Sequence, residues 1–145
     1  MATLEQFAGR MAAKAEKVPD LVSIIKRSAA IAIDRNVVLA TPVDTGRARS
    51  NWIVSVGSPN DIEREPYSEG SKLGLGERAN AQGAMDQAAR AVSGKIALGV
   101  PVWIQNNVHY IGKLNNGHSP QALPGFVQNA ALNGAAEIRR AKFKL

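Results

Sequence analysis

Residues 41–56 read TPVDTGRARSNWIVSV, and this stretch decides the fold because the chain passes within it from the period of a helix to the period of a strand. Upstream, Leu21, Ile24, Ile25, Ala29, Ala32, Ile33, Val37 and Ala40 recur at three- and four-residue spacing, which predicts an amphipathic helix closed by Pro42. Downstream, Trp52, Val54 and Val56 alternate with Ile53 and Ser55, the two-residue period of a pleated segment rich in β-branched side chains. In the connector, Asp44 or Thr45 can cap a short helical turn that leads into Trp52.

Towards the N-terminus, Leu4, Phe7, Met11, Ala15 and Val18 mark a first helix, which Pro19 is expected to end, with Asp20 capping the next. Beyond the strand, residues 57–76 mix Gly, Pro and charges without periodicity and predict a long mobile loop. Glu77 to Ser93 is alanine-rich, with Ala81, Met85, Ala88 and Val92 on one side, a helix able to approach a sheet closely and stopped by Gly94. Val100, Val102 and Ile104, with Trp103 facing the other way, give a second strand, and Pro101 suits its start or a sheet edge. A helical turn at His109–Leu114 and the turn-rich run NNGHSPQALPG at 115–125 follow. Val127, Ala130, Ala131, Ala135, Ile138 and Ala141 then outline a C-terminal helix, closed by Arg139, Arg140, Lys142 and Lys144.

The order ααβαβα predicts an α+β fold. A small antiparallel or mixed sheet packs against a long helix of the N-terminal half, a middle helix and a C-terminal helix, in a single structural domain over residues 1–145 with 1–18 peripheral. So small a sheet leaves a strand edge to which a neighbour can add, and oligomerisation is expected from it.

Composition narrows the chemistry. Hydrophobic residues at 45% and charged residues at 21% exclude wholesale disorder, and the absence of Cys excludes disulfide scaffolds, thiolate zinc sites and cysteine nucleophiles. The uncharged run 96–112 is shorter than the roughly 20 apolar residues of a membrane span and contains Pro101, Gln105, Asn106, Asn107 and His109, so no membrane association is expected. Glu5, Arg10, Lys14 and Glu16 interrupt the N-terminal pattern where a signal peptide needs an apolar stretch, and a cytoplasmic location follows as the expectation. Asp44, Thr45 and Gly46 spell the tripeptide of aspartic proteases, but a helix and Pro42 precede them, and a second copy could come only from a dimer. His109 and His118 lack partners at ligand spacing, and Gly70, Gly74 and Gly76 lack the Lys and Ser or Thr of a phosphate loop. No metal, cofactor or catalysis is expected.

The net charge of +6 suits an anionic partner. Arg47 and Arg49 in the connector, with Arg139, Arg140, Lys142 and Lys144 near the C-terminus, make a basic DNA-binding protein the alternative reading. Aromatic residues at 5% are too few for a single-strand stacking platform, a solvated basic face explains the charge without any partner, and a surface lining a passage for DNA lies between that and direct DNA binding.

Two segments taken together resemble a known family. TPVDTGRARSNW at 41–52 and IQNNVHYIGKLNNGHSPQALPGFV at 104–127 are similar to segments of tail-completion or neck proteins of long-tailed phages, whose relatives include minor tail proteins of the lambda Z type. The resemblance covers the stretch from the second helix to the C-terminal helix. This chain has Leu123, Phe126 and Asn115 where the family often shows Ala or Pro, Met, and an acidic residue. Asp44, Thr45, Gly46, Arg47 and Trp52 match the first motif; Asn106, Asn107, Tyr110, Gly117, His118, Ser119, Gln121, Pro124 and Gly125 match the second. The resemblance implies a non-catalytic virion protein of the neck or upper tail, present in host cytoplasm during assembly. Its implied partners are further copies in a ring of sixfold symmetry and the connector, tail terminator or tail tube. On this reading the motif residues fix two loops against the sheet, leaving side chains such as Arg47 free to meet an adjacent subunit.

Overall fold

Thr3 opens the first helix with a reciprocal cap: its hydroxyl accepts from the Gln6 amide at 3.2 Å while the Gln6 side chain accepts from the Thr3 amide at 3.0 Å. The helix so started, α1 (Leu4–Ala40), continues for 37 residues and carries Pro19 in its interior. Pro19 therefore does not end a helix, and Asp20 caps nothing; its carboxylate pairs with Lys95 at 2.5 Å. Proline costs a helix the bond to the carbonyl four residues back, here that of Ala15. That cost is small in this place, because residues 2–18 are all exposed and water reaches the freed carbonyl.

The computed structural model describes residues 2–43, 45–69 and 76–145. After α1 come α2 (Arg47–Ser50), β1 (Trp52–Val56), α3 (Glu77–Ala91), β2 (Val102–Asn106), α4 (Ile111–Asn115) and α5 (Phe126–Arg140). The fold is α+β, with a long N-terminal helix and a two-stranded antiparallel sheet. None of the described helices is long and apolar enough to cross a membrane.

The strands pair Trp52 with Asn106, Val54 with Ile104 and Val56 with Val102. The second strand begins two residues later than its apolar pattern predicts, since the Val100 carbonyl is taken by Lys26 Nζ at 2.8 Å and the ladder closes with the Gly57 amide on the Pro101 carbonyl at 2.8 Å. Helix α3 packs its alanine face on β1, and Ala30, Val54, Ala88, Val92 and Ile96 form one apolar cluster. Val37, Val38, Trp52, Ala81, Ala84 and Ala130 form a second, where α5 joins. The buried face of α1 is rotated from the predicted one: Val38 is fully buried, whereas Ile24 is 47% exposed. Asp34 lies on the buried face, and neither of its carboxylate oxygens has a hydrogen-bond partner.

Helix α5 lies so close to α1 that a Cβ on Gly134 would stand 2.7 Å from Ile33 Cα. One turn on, Glu137 receives Asn36 Nδ2 at 2.9 Å and pairs with Arg35, and these two partners, Asn36 first, hold its carboxyl below the usual range.

Candidate functional site

The turn after α1 is built by side chains that return to its last carbonyls. Thr41 Oγ donates to the Val37 carbonyl at 2.6 Å and accepts from Trp52 Nε1 at 2.7 Å, which ties the first residue of β1 to the end of the helix. The last turn of α1 has no basic residue, and Arg49 from α2 supplies the charge, donating to the carbonyls of Thr41 at 2.8 Å and Leu39 at 3.3 Å. Burial pushes the Arg49 guanidinium down from its ordinary value.

Gly46 begins α2 in the left-handed region, at φ +81. Of the two predicted caps, Thr45 Oγ accepts only a long bond from the Arg47 amide, at 3.4 Å, and Asp44, on which the protease reading also turned, lies outside the described residues. The structure also corrects the reading of Arg47. It is not free, for its Nε donates to Glu63 at 2.7 Å and its Nη1 to Glu65 at 3.0 Å, contacts that raise its pKa, that with Glu63 most.

Those two glutamates lie in the segment read as a loop. It has no helix or strand over its described part, 57–69, while residues 70–75, with Gly70 and Gly74 of the phosphate-loop comparison, lie outside the described residues. Polar side chains tether the described part. Asn51 exchanges hydrogen bonds with the Arg64 backbone at 2.9 and 2.8 Å, and Asn107 Nδ2 donates to the carbonyls of Asn60 and Ile62 at 2.7 and 2.8 Å. Fully buried Asn80 on α3 accepts from Ser50 Oγ and the Ser68 amide at 2.8 Å each and donates to the Ser68 carbonyl at 2.9 Å. Nothing in the periodicity of α3 marks Asn80, because an asparagine on an alanine-rich helix reads as a surface residue.

The second motif folds back onto the first. Gln121 Nε2 donates to the Val43 carbonyl at 2.7 Å and its Oε1 accepts from the Val43 amide at 2.8 Å, so one side chain satisfies both backbone groups as a strand would. Asn106 Nδ2 donates to the Ala48 carbonyl at 2.7 Å, joining β2 to α2. Gly117, at φ +96, lies under Pro124, whose Cγ would be 2.8 Å from an added Cβ. Gly125 starts α5 at φ +79, with its amide on the Asn115 carbonyl at 2.7 Å.

Between the motifs lies an open cleft of about 620 Å³, walled by Thr45, Gly46 and Arg47 on one side and by Tyr110, His118 and Gln121 on the other. Trp52, Asn107 and Gly125 do not line it. Ser119 and His118 are neighbours in sequence but face different partners, the Ser119 hydroxyl taking the Gln121 amide at 3.2 Å and His118 Nδ1 the Lys113 carbonyl at 3.0 Å. Among the described residues no three His, Asp or Glu side chains gather as a metal site. The described wall of the cleft offers shape and hydrogen-bonding groups.

Removing the clasp tests this geometry. Gln121→Ala strands the amide and carbonyl of Val43, a residue 2% exposed. A loss of about 1–3 kcal/mol in urea unfolding is expected, with faster hydrogen exchange at the Val43 amide; an unchanged midpoint would mean that the motifs hold together without it.

No protein-family model, curated protein or solved structure matches the chain.

Proposed function

We propose that this chain is a non-enzymatic structural subunit of a long-tailed phage, acting in the neck or in tail completion, where copies assemble into a ring that joins tail to head. The supporting observation is the uncovered stripe of α1. Leu4 is 83% exposed, Phe7 55%, Met11 52% and Val18 38%, all on one side of a helical segment, residues 4–18, that is exposed throughout. An isolated helix of this length is marginal in water, and so regular an apolar stripe is the mark of a helix that packs on another subunit. The two motifs that carry the family resemblance support the same reading, because they meet as a rigid, hydrogen-bonded shoulder suited to an adjacent protein. The connector, tail terminator or tail tube is the proposed heterologous partner, with DNA passing nearby and no cofactor used.

Phe7→Glu with Met11→Glu puts two carboxylates into the stripe. The expected result in light scattering is loss of ring-sized particles, with the melting temperature of the body unchanged. A chain that stays monomeric at every concentration and is missing from purified virions by mass spectrometry would end the proposal.

The DNA-binding alternative is weakened by the connector, where Arg47 answers two glutamates and Arg49 caps α1, leaving the exposed Arg139, Arg140, Lys142 and Lys144. It still predicts a duplex shift that fades steeply with salt.

A further inference from the structure

The two edges of the small sheet are treated differently. The Gly57–Pro101 bond sets the alternation of the ladder, so the amides and carbonyls of Val54 on one strand and of Val102 and Ile104 on the other point outward. On β1 that edge is closed: Gln87 Oε1 accepts from the Val54 amide at 2.9 Å and its Nε2 donates to the Val54 carbonyl at 2.8 Å. On β2 no described residue does the same for Val102 or Ile104. Beside this open edge runs a groove of about 240 Å³ between β2 and α1, lined by Ala29, Ala30, Ile33, Val100, Val102 and Ile104, with Lys26 at one end. An apolar cavity of about 150 Å³ accepts a benzene ring, so a phenylalanine fits here.

We infer that this edge takes residues 141–145 of a second copy as an added strand. That segment reads AKFKL, has no helix or strand of its own and leaves α5 in extended geometry at Ala141 (φ −67, ψ 141). Its two-residue alternation matches a strand with one buried face. With Ala141, Phe143 and Leu145 turned to the groove, Lys142 and Lys144 fall on the opposite face, that of Trp103 and Gln105. The charge there is complementary: Asp61 accepts from Gln105 Nε2 at 3.2 Å, and Trp103, 43% exposed, offers a ring to a cation. The third strand also gives the sheet the width that two strands lack. The inference rests on the self-assembly part of the proposed function, but on a different surface from the α1 stripe.

The chain has no cysteine, which makes cross-linking clean. Trp103→Cys and Lys144→Cys are placed in separate full-length chains, mixed, and treated with a short bismaleimide. A covalent dimer of the two chains is expected, about tenfold above either chain alone, as follows when a contact raises local concentration. It should fall to background when Val102→Pro removes an outward amide or Phe143→Ser empties the groove. Dimer from the Trp103→Cys chain by itself would show β2 pairing with its own copy and overturn the inference, as would a double variant linked only within one chain. Rings that form without the cross-link overturn this contact alone; monomers without it overturn the assembly reading as well.

Discussion

Asp34→Asn raises the stability of the folded chain by about 3 kcal/mol more at pH 8 than at pH 4.5. The wild-type carboxyl sits on the buried face of α1 at 1% exposure with no partner for either oxygen, and burial raises its pKa from 3.8 to about 7. A buried acid of this kind is tolerated chiefly as the neutral form. The folded state then holds a proton that the unfolded chain gives up near pH 4, so wild-type stability declines as pH rises from 4 to 7 and levels off above it. The amide has no proton to lose, and its curve over this window is flat with respect to position 34. Urea unfolding from pH 4.5 to 8.5 reads the difference; parallel curves for the two proteins would mean that Asp34 ionises as freely in the fold as outside it. Above pH 7 the cost falls on the junction between the two apolar clusters, where α1 meets the sheet.

Gly46→Ala is expected to lose about 3 kcal/mol or more, because two penalties meet at one atom. The backbone there is left-handed at φ +81, and an added Cβ would come 2.0 Å from Asn80 Nδ2. Asn80 cannot step aside, since its side chain is fully buried and makes three hydrogen bonds that hold Ser50 and Ser68. The substitution therefore pulls on the turn after α1, the cleft wall and the tether of residues 57–69 together. Gly9→Ala is the internal control: nothing lies within 4 Å of the added Cβ, and the exposed helix should gain up to about 1 kcal/mol. Equal effects at the two glycines in thermal melts would remove the packing argument.

How much of this could be read beforehand differs from residue to residue. The strand at 52–56 was legible because side-chain alternation and β-branching agree over it, and the helices at 77–91 and 126–140 because their alanines repeat on one face. Pro19 misleads because its usual effect depends on whether solvent can reach the orphaned carbonyl, a tertiary property. The face of α1 was legible only in part for a related reason: Ala32 and Val37 of the predicted stripe are buried, but small Ala30, outside it, is buried too by close approach of other elements, which hydrophobicity alone does not rank above Ile24. In the site, the motif residues were marked by resemblance, but their meeting was not. Val43 and Gln121 are far apart in sequence, and no periodicity announces that a glutamine will serve a backbone amide and carbonyl. Gln87 does the same for Val54, and Asn80 and Asn51 play comparable parts, so the polar side chains that set the loops are those whose composition signal is weakest.

The unbroken course of α1 through Pro19 fixes a distance. At about 1.5 Å per residue the helix is about 55 Å from end to end, and the part ahead of Asp20 reaches about 24 Å beyond the body. In the proposed assembly, a neighbour gripped by Phe7 and Met11 would be held at a set separation, as by a ruler. Removing four residues from the exposed part would draw it in by about 6 Å and turn the gripping side by about 40°, so the circumference of any closed assembly is written into the register of this one helix.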